Sequence, residues 1–222
     1  MSKVKKIIIA ALIFVVLAIV AMIPIPYVIE SPGTAEEVSQ FLTISGAKDE
    51  DPGSLRVLTV YVEQATVLTY FKKFLKHHEM VPSEEVFGDY TPEEFDTLQD
   101  FSMRNARSKA VRVAFEAAGK TVERHVNGIF VTRVDPNSNF RDKLKVGDII
   151  ETIDGKSPGN TDESFEELRD YLASLEPGHT LVLQVKRDDA TMSIRGQLKM
   201  DSRTGGIRLG FGGEVDEDVT SD

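Results

Sequence analysis

The chain has 222 residues, which is enough for one or two domains with a hydrophobic core. Its 36 acidic and 26 basic side chains give a formal charge of −10, which argues against a nucleic-acid-binding protein, since such proteins need clustered Lys and Arg. The absence of cysteine excludes disulfides, thiolate metal sites and a cysteine nucleophile.

The first predicted element is a membrane-spanning helix. Residues 7–23 carry no charged or polar side chain, and the apolar flank extends the predicted span to residues 7–29, which matches the thickness of a bilayer. The apolar run exceeds the about 7 to 15 residues of a secretory signal, so an uncleaved anchor is favoured over a cleaved signal. The lysines in residues 1–6 predict a cytoplasmic N-terminus and an extracytoplasmic bulk at the cell membrane.

The next predicted region, residues 30–118, contains strands and helices outside the membrane. Residues 41–44 and 56–62 are apolar strand candidates on either side of a loop rich in Asp, Gly and Pro, which predicts a hairpin. Residues 65–80 have apolar side chains at helical spacing and predict a first helix.

A second, longer helix is predicted to begin at a capping box. Thr91 is the expected N-cap, Pro92 the first helical residue, and Glu94 the residue three positions after the cap. The apolar positions keep a helical period until Gly119, which predicts the end of the helix there. Both helices are interpreted as packing elements.

Short strands and one amphipathic helix are predicted from residue 120 onward, which makes the chain α+β. Turn residues such as Asp188 and Asp189 separate the apolar runs. The predicted strands are residues 120–126, 129–134, 146–153, 180–187 and 191–198, and the predicted helix covers residues 163–174.

Residues 128–156, GIFVTRVDPNSNFRDKLKVGDIIETIDGK, contain a Leu-x-x-Gly-Asp-x-Ile pattern and a closing Asp-Gly. Gly147 permits a backbone conformation that a side chain would obstruct, and Asp148 can accept bonds from neighbouring amides in the turn. Asp154 and Gly155 then reverse the chain. This segment resembles the core of a PDZ domain, which implies a small β-barrel-like sandwich with one main helix over residues 119–200.

The PDZ resemblance implies binding of an extended peptide, which adds as a strand beside one edge and faces the main helix. It makes residues 120–126 the binding edge and the turn at residues 118–120 the source of amides for the peptide carboxylate. The implied peptide-binding residues are Gly119, Lys120, Thr121 and Val122 on the edge, and Phe165, Leu168, Arg169 and Leu172 on the helix.

Residues 208–213, Arg-Leu-Gly-Phe-Gly-Gly, also resemble the carboxylate-binding Gly-Leu-Gly-Phe loop of PDZ domains. They follow the predicted domain, and no second Leu-x-x-Gly-Asp comes after them, so we leave them out of the predicted site. Residues 137–139 are Asn-Ser-Asn where bacterial PDZ domains commonly have Ser-Pro-Ala, and Phe140 follows.

A wider resemblance covers nearly the whole chain. The N-terminal anchor, the Pro-Tyr-x-Ile-Glu-Ser-Pro-Gly of residues 26–33, the Leu-Thr-Val of residues 58–60 and one PDZ domain are similar to membrane-anchored Lon-like proteases of the YlbL or SepM type in Gram-positive bacteria. This implies the anchoring and substrate-recognition portion of an ATP-independent Ser-Lys endopeptidase, with residues 201–222 as the start of a truncated proteolytic domain or a tail. The alternative is a non-catalytic, membrane-tethered PDZ adaptor that binds peptide termini.

No catalytic residue is assigned in the sequence, because Gly-x-Ser-x-Gly and Gly-Pro-Ser segments are both absent. The histidines His77, His78, His125 and His179 do not have metal-binding spacing, so no metal and no cofactor are predicted. The expected partners are a peptide or protein substrate and the membrane, with a homo-oligomer expected if a proteolytic domain is present and no nucleic acid.

Overall fold

The computed structural model describes residues 3–40, 53–201 and 205–220. The predicted strand at residues 41–44 lies outside them. The chain divides into two compact units, Met1–Tyr90 and Thr91–Asp222. Helices and antiparallel sheets occur together, which confirms the α+β prediction.

The first unit contains one long helix and a three-stranded antiparallel sheet with the order β2-β1-β3. Val28 and Ile29 of the central strand and Ala65 of its neighbour are buried. The elements are α1 (Lys3–Ala21), β1 (Pro24–Glu37), β2 (Arg56–Thr66), β3 (Glu79–Pro82), α2 (Ser83–Phe87) and the 3₁₀ turns Val38–Gln40 and Thr69–Phe74.

Helix α1 is the one helix, among the residues that the structure describes, with the length and apolar composition needed to cross a membrane. It ends at Ala21, and the last part of the predicted span, residues 24–29, belongs to strand β1 instead. Pro24 and Pro26 explain the difference, because proline cannot donate to the helical ladder and disfavours helical backbone in the residue before it.

Strand β2 pairs with β1, where the sequence predicted a hairpin with residues 41–44. Pro32 is the register partner of Val60, and a Cβ on the following Gly33 would collide with the Thr59 hydroxyl and backbone. The β1–β2 pair therefore depends on a glycine at position 33.

The predicted helix over residues 65–80 is wrong: the structure has a 3₁₀ turn and then β3. The Thr66 amide donates to Thr69 Oγ1 at 2.7 Å, and the Thr69 amide donates to Thr66 Oγ1 at 3.2 Å. Such side-chain bonds to the backbone compete with helical bonds and close a tight turn.

The second unit has a five-stranded antiparallel sheet in the order β10-β4-β5-β6-β7 and a small hairpin of β8 and β9. Each of its two helices begins at a capping box. The elements are α3 (Pro92–Ala117), β4 (Glu123–Val134), β5 (Ile149–Ile153), α4 (Asp162–Ala173), β6 (Thr180–Arg187), β7 (Ala190–Gln197), β8 (Lys199–Met200), β9 (Ile207–Arg208) and β10 (Phe211–Thr220).

The predicted capping box at the start of α3 is confirmed. The Glu94 amide donates to Thr91 Oγ1 at 3.2 Å, and the Thr91 amide donates to Glu94 Oε2 at 2.9 Å. A second capping box, formed by Thr161 and Ser164, begins α4. Each box satisfies amides that have no partner in the first helical turn.

The core of the second unit lies between the sheet and α4. Phe140, which stands after the unusual Asn-Ser-Asn, is fully buried and packs edge-on against Phe211 at 5.3 Å between ring centroids. A Cβ on Gly196 would collide with the Phe140 ring, so a small residue in β7 makes room for a large one. The buried core residues are Val131, Phe140, Leu144, Ile150, Ile153, Leu168, Leu181, Leu183, Val185, Ile194 and Leu198.

Strand β4 runs without a break through Gly128, where the sequence predicted two separate strands. Gly128 has φ of +148°, and a Cβ there would lie 2.6 Å from the carbonyl oxygen of Ile150 on β5. The glycine therefore lets one strand change direction and still approach β5 closely.

Gly128→Ala is expected to lower the free energy of unfolding by about 2 kcal/mol or more, because it combines an unfavourable φ with a backbone collision. Gly155→Ala is the matched control, since Gly155 also has positive φ but has open space around it. We expect about 1 kcal/mol for this control. Urea unfolding of both variants, followed by circular dichroism, measures the difference, and equal losses would contradict the role assigned to the Ile150 contact.

Candidate functional site

Strand β10 forms one edge of the five-stranded sheet. It pairs with β4 along its length, from Phe211 opposite Val134 to Thr220 opposite Glu123. Within the described residues, no strand pairs with its other side. Residues 208–213 lie outside the site predicted from the sequence. In the structure they run from the end of β9 into the start of β10, which pairs with β4, and their likeness to a Gly-Leu-Gly-Phe loop is the sequence signal that points to this edge.

The backbone groups of Val215 face the open side of β10. The Val131 amide donates to the Asp148 carbonyl at 2.8 Å, so Val131 is directed towards the segment that leads into β5. Successive residues of an antiparallel strand alternate between their two neighbours, so Phe130 is directed towards β10 and its partner Glu214 towards β4. The next residue, Val215, therefore offers its N–H and C=O to the free edge.

The glycine-rich segment before β10 is held against the β4–β5 connection. The Asp135 amide donates to the Gly210 carbonyl at 2.9 Å, and Arg208 pairs with the Asp135 carboxylate at 2.5 Å. Gly210 has φ of +82°, and a Cβ there would collide with Ser138. Successive amides in a turn of this kind can form an anion-binding concavity beside the edge strand.

The predicted helix residues lie together on α4 but have different surroundings. Leu168 is 3% exposed and belongs to the core, so it offers almost no surface to a ligand. Phe165 and Leu172 are half-buried, and Arg169 is exposed and pairs with Glu166 at 3.4 Å. Three of the four side chains are therefore accessible.

The predicted edge residues 119–122 lie between α3 and β4, before the strand begins. The Gly119 amide donates to the Glu116 carbonyl at 3.0 Å, and the Lys120 amide donates to the Phe115 carbonyl at 2.9 Å. These two amides therefore cap the end of α3. Thr121 is exposed and Val122 half-buried, and farther along the strand the Val126 amide donates to Asn160 Oδ1 at 2.9 Å.

Asp148, the aspartate of the Gly-Asp sequence before β5, forms a largely buried ion pair with Arg187. Asp148 is 1% exposed and accepts hydrogen bonds from Arg187 Nε at 2.6 Å and Arg187 Nη2 at 2.7 Å. Its Oδ2 also accepts from the Lys145 amide at 2.8 Å. The carboxylate thus joins the turn before β5 to the end of β6, and its hydrogen bonds raise the pKa of Arg187.

Asp154, the aspartate of the Asp-Gly sequence after β5, holds α4 in place through its carboxylate. Asp154 Oδ2 accepts from the Tyr171 hydroxyl at 2.8 Å and lies 2.9 Å from His179 Nε2, while Oδ1 accepts from the Val182 amide at 2.7 Å. Burial alone would raise the pKa of Asp154, but these hydrogen bonds outweigh it and lower the pKa. The carboxylate therefore connects the C-terminal half of α4 to β6 and fixes the helix beside the sheet.

Helix α3 packs against β4 and β10 through one aromatic contact and several ion pairs. Phe101 stacks on Phe130 of β4 with 3.9 Å between ring centroids. The ion pairs join Arg104 to Asp216 at 3.3 Å, Lys109 to Glu214 at 3.9 Å and Arg112 to Glu217 at 3.8 Å.

Asp216 gives these contacts a pH dependence. Burial raises the pKa of Asp216; Arg104 opposes the shift, and Asp218 adds to it. Its folded-state pKa therefore exceeds the unfolded value, and the free energy of unfolding falls as pH rises through the interval between them. Asp216→Asn is expected to gain stability relative to wild type as pH rises above the ordinary pKa of aspartate.

Urea unfolding at a series of pH values measures this difference, with Asp142→Asn as the exposed control. A stability difference between Asp216→Asn and wild type that does not change with pH would contradict the raised pKa.

Within the described residues, no group of three or more His, Asp or Glu side chains could hold a metal ion. A profile for the PDZ domain family matches residues 102–198. The chain contains a PDZ domain. Strand β10 lies beyond the matched residues but is hydrogen-bonded to β4 of this PDZ domain.

Two solved PDZ domains from Listeria are similar to this one. The PDZ domain of the SdrC-like protein from Listeria monocytogenes is 26% identical, with a TM-score of 0.34, and the match covers 39% of this chain and 87% of that one. The PDZ domain of the SdrC-like protein from Listeria innocua is 25% identical, with a TM-score of 0.35, and the match covers 40% of this chain and 94% of that one. No curated protein matches the sequence significantly.

Proposed function

We propose that the PDZ domain binds an extended peptide, which adds as a strand to the free edge of β10. The observation that carries the proposal is this unpaired edge, which follows directly on a segment rich in glycine. An added strand obtains affinity from backbone hydrogen bonds and selectivity from side-chain pockets. The protein would thus act as a peptide-binding module.

In this proposal α4 forms the opposite wall. Phe165 and Leu172 would supply apolar contacts, Arg169 would meet acidic groups of the ligand, and Leu168 would support the wall from the core. The Asp154 contacts support the proposal because they restrict the movement of α4. Peptide binding at residues 119–122 stays a prediction.

The peptide is proposed to end in a free carboxylate, held by amides of residues 209–213. A hydrogen bond to a charged group contributes about 1.5–3 kcal/mol, compared with about 1 kcal/mol for a typical neutral one. The probe would be a library of random peptides with free C-termini, selected on the full chain in lipid nanodiscs. The best peptide would then be synthesised as the acid and as the C-terminal amide.

The acid is expected to bind at least about 10-fold more tightly than the amide, measured by fluorescence polarisation. An Arg169→Ala variant would show whether selectivity for acidic residues upstream of the C-terminus depends on α4. Equal dissociation constants for acid and amide would contradict carboxylate recognition, and failure to select any peptide would contradict the peptide-binding proposal.

We further propose that α1 anchors the protein in the cell membrane with residues 1–6 in the cytoplasm. The lysines at the N-terminal end of α1 support this orientation through the positive-inside rule. A cysteine introduced at the exposed Ser157 would react with a membrane-impermeant maleimide on intact cells in this orientation. The chain has no native cysteine, so labelling would be specific to this site.

More specifically, we propose that residues 1–222 are the substrate-recognition portion of a membrane-bound Lon-like endopeptidase. Its catalytic Ser-Lys dyad would lie outside these 222 residues. This proposal is supported by the juxtamembrane likeness, since the two short motifs lie side by side in the β1–β2 pair, where Pro32 is the register partner of Val60. The intact mass of the protein extracted from its native membrane tests it. A mass well above 24.6 kDa and serine-dependent peptidase activity are expected; a product of 24.6 kDa without that activity would favour the PDZ adaptor.

A further inference from the structure

We infer that residues 67–75 form an interfacial segment that lies in the headgroup region of an anionic lipid bilayer. This segment comprises residues 67–68, which follow β2, the 3₁₀ turn Thr69–Phe74, and Leu75. The inference rests on the proposal that α1 spans the membrane, and it assigns a second membrane contact to the part of the chain that follows the helix.

The position of the interfacial segment is set by its hydrogen bonds to the end of α1. The Leu68 amide donates to the Ala21 carbonyl at 2.9 Å, and the Val67 amide donates to the Ile23 carbonyl at 3.1 Å. Strand β2 returns the chain to this point, because Thr66 is the register partner of Pro24. When α1 spans a bilayer, the segment is therefore held at the depth where the helix leaves it.

The side chains of the interfacial segment suit an apolar environment better than water. Leu68 is 64% exposed, Phe71 67% and Phe74 72%, and Leu75 is also exposed. Large apolar side chains that are grouped and uncovered in this way mark an interaction surface. Met22, Ile23 and Tyr27, which follow α1, are exposed as well.

The charges of the segment indicate lipid headgroups as its surroundings. Lys73 lies over the ring of Tyr70, with Nζ 3.7 Å from the ring centroid. Lys72 pairs with Glu63 of β2. Amphipathic Tyr and Lys side chains place apolar stems near the acyl chains and polar ends among the headgroups. Lysines at this depth are attracted to anionic phospholipids.

A bilayer explains this surface better than a second copy of the chain. The segment is hydrogen-bonded to Ala21, the last residue of α1, and to Ile23 just after it, so in this proposal its exposed side chains lie next to lipid whether or not another protein is present. Aromatic residues together with lysine are the composition found at membrane interfaces. A contact with a second copy is the competing outcome of the experiment below.

The experiment uses the full chain in vesicles of phosphatidylcholine and phosphatidylglycerol. Because the chain has no cysteine, single cysteines at Phe71→Cys, Val16→Cys and Ser157→Cys can each carry an environment-sensitive NBD fluorophore. Lipids with a nitroxide near the headgroup or deep in the acyl chain quench probes at the corresponding depths. Val16→Cys tests the span of α1, and Ser157→Cys is the exposed control in the second unit.

We expect loss of fluorescence at position 71 with the shallow nitroxide, at position 16 with the deep nitroxide, and at position 157 with neither. Quenching at 16 without quenching at 71 would overturn the interfacial segment and leave the span intact. Absence of quenching at 16 would overturn the span, and the inference with it. Cross-linking between copies at position 71, with no lipid quenching there, would establish a protein interface instead.

A second variant separates lipid contact from local folding. Phe74→Ser with NBD at Phe71→Cys removes an apolar side chain that is 72% exposed. It is expected to decrease shallow quenching at position 71, while the circular dichroism spectrum stays unchanged. Unchanged quenching would contradict insertion through this aromatic group.

Discussion

Asp148→Ala is expected to lower the free energy of unfolding of the second unit by about 3 kcal/mol, a large part of the stability of a typical domain. Truncation leaves Arg187 without its carboxylate partner and the Lys145 amide without its acceptor. The side chain of Arg187 is 25% exposed, so water compensates for part of the loss. Urea unfolding of the full chain in detergent measures the change.

The control for this prediction is the double variant Asp148→Leu with Arg187→Met. Replacement of both charges by apolar groups removes the cost of an unpaired buried ion, so the double variant is expected to be more stable than Asp148→Ala. A loss below about 1 kcal/mol for Asp148→Ala would contradict the role of this ion pair.

Val215→Pro is expected to weaken binding of the selected peptide at least about 10-fold, because it removes an N–H that faces the free edge and places a ring there. Edge strands tolerate proline where the missing N–H would face solvent, so the β10–β4 ladder should persist. Fluorescence polarisation with the acid form of the peptide measures the dissociation constant.

Val215→Ala is the matched control, since it shortens the same side chain but keeps the N–H. We expect its dissociation constant to stay within about 3-fold of wild type. If Val215→Pro binds as wild type does, the peptide does not pair with β10, and Lys120→Pro would then test the edge predicted from the sequence. Equal loss in Val215→Pro and Val215→Ala would indicate a packing effect.

Local signals in the sequence predicted much of the PDZ domain. Thr91 and Glu94 are three residues apart, and their capping box depends only on that spacing. The helix predicted at residues 163–174 is confirmed as α4. Its apolar residues lie on one face that packs on one surface, so their helical spacing was a sufficient signal. The PDZ resemblance came from one continuous segment, residues 128–156, and the match to the family confirms it.

The features that the sequence did not reveal depend on distant partners. Residues 211–220 pair with β4 from the opposite end of the unit, and no local pattern encodes that pairing. The apolar residues of 65–80 have the same helical spacing as those of the confirmed helix α4. Phe71 and Phe74 are nevertheless exposed, so this periodicity does not mark a buried face. The spacing of apolar residues in a sequence does not show which surface, if any, they pack against.

The pairing of β4 with β10 determines when the proposed peptide-binding edge can form during synthesis. Arg124 and Glu217, which meet across these strands, are 93 positions apart. At about 5 to 20 residues per second, β10 leaves the ribosome roughly 5 to 20 s after β4. During that interval β4 has no neighbour on this side and is itself the open edge of the sheet. The proposed site on β10 therefore forms late in synthesis, when the residues of β10 pair with β4 and cover that edge.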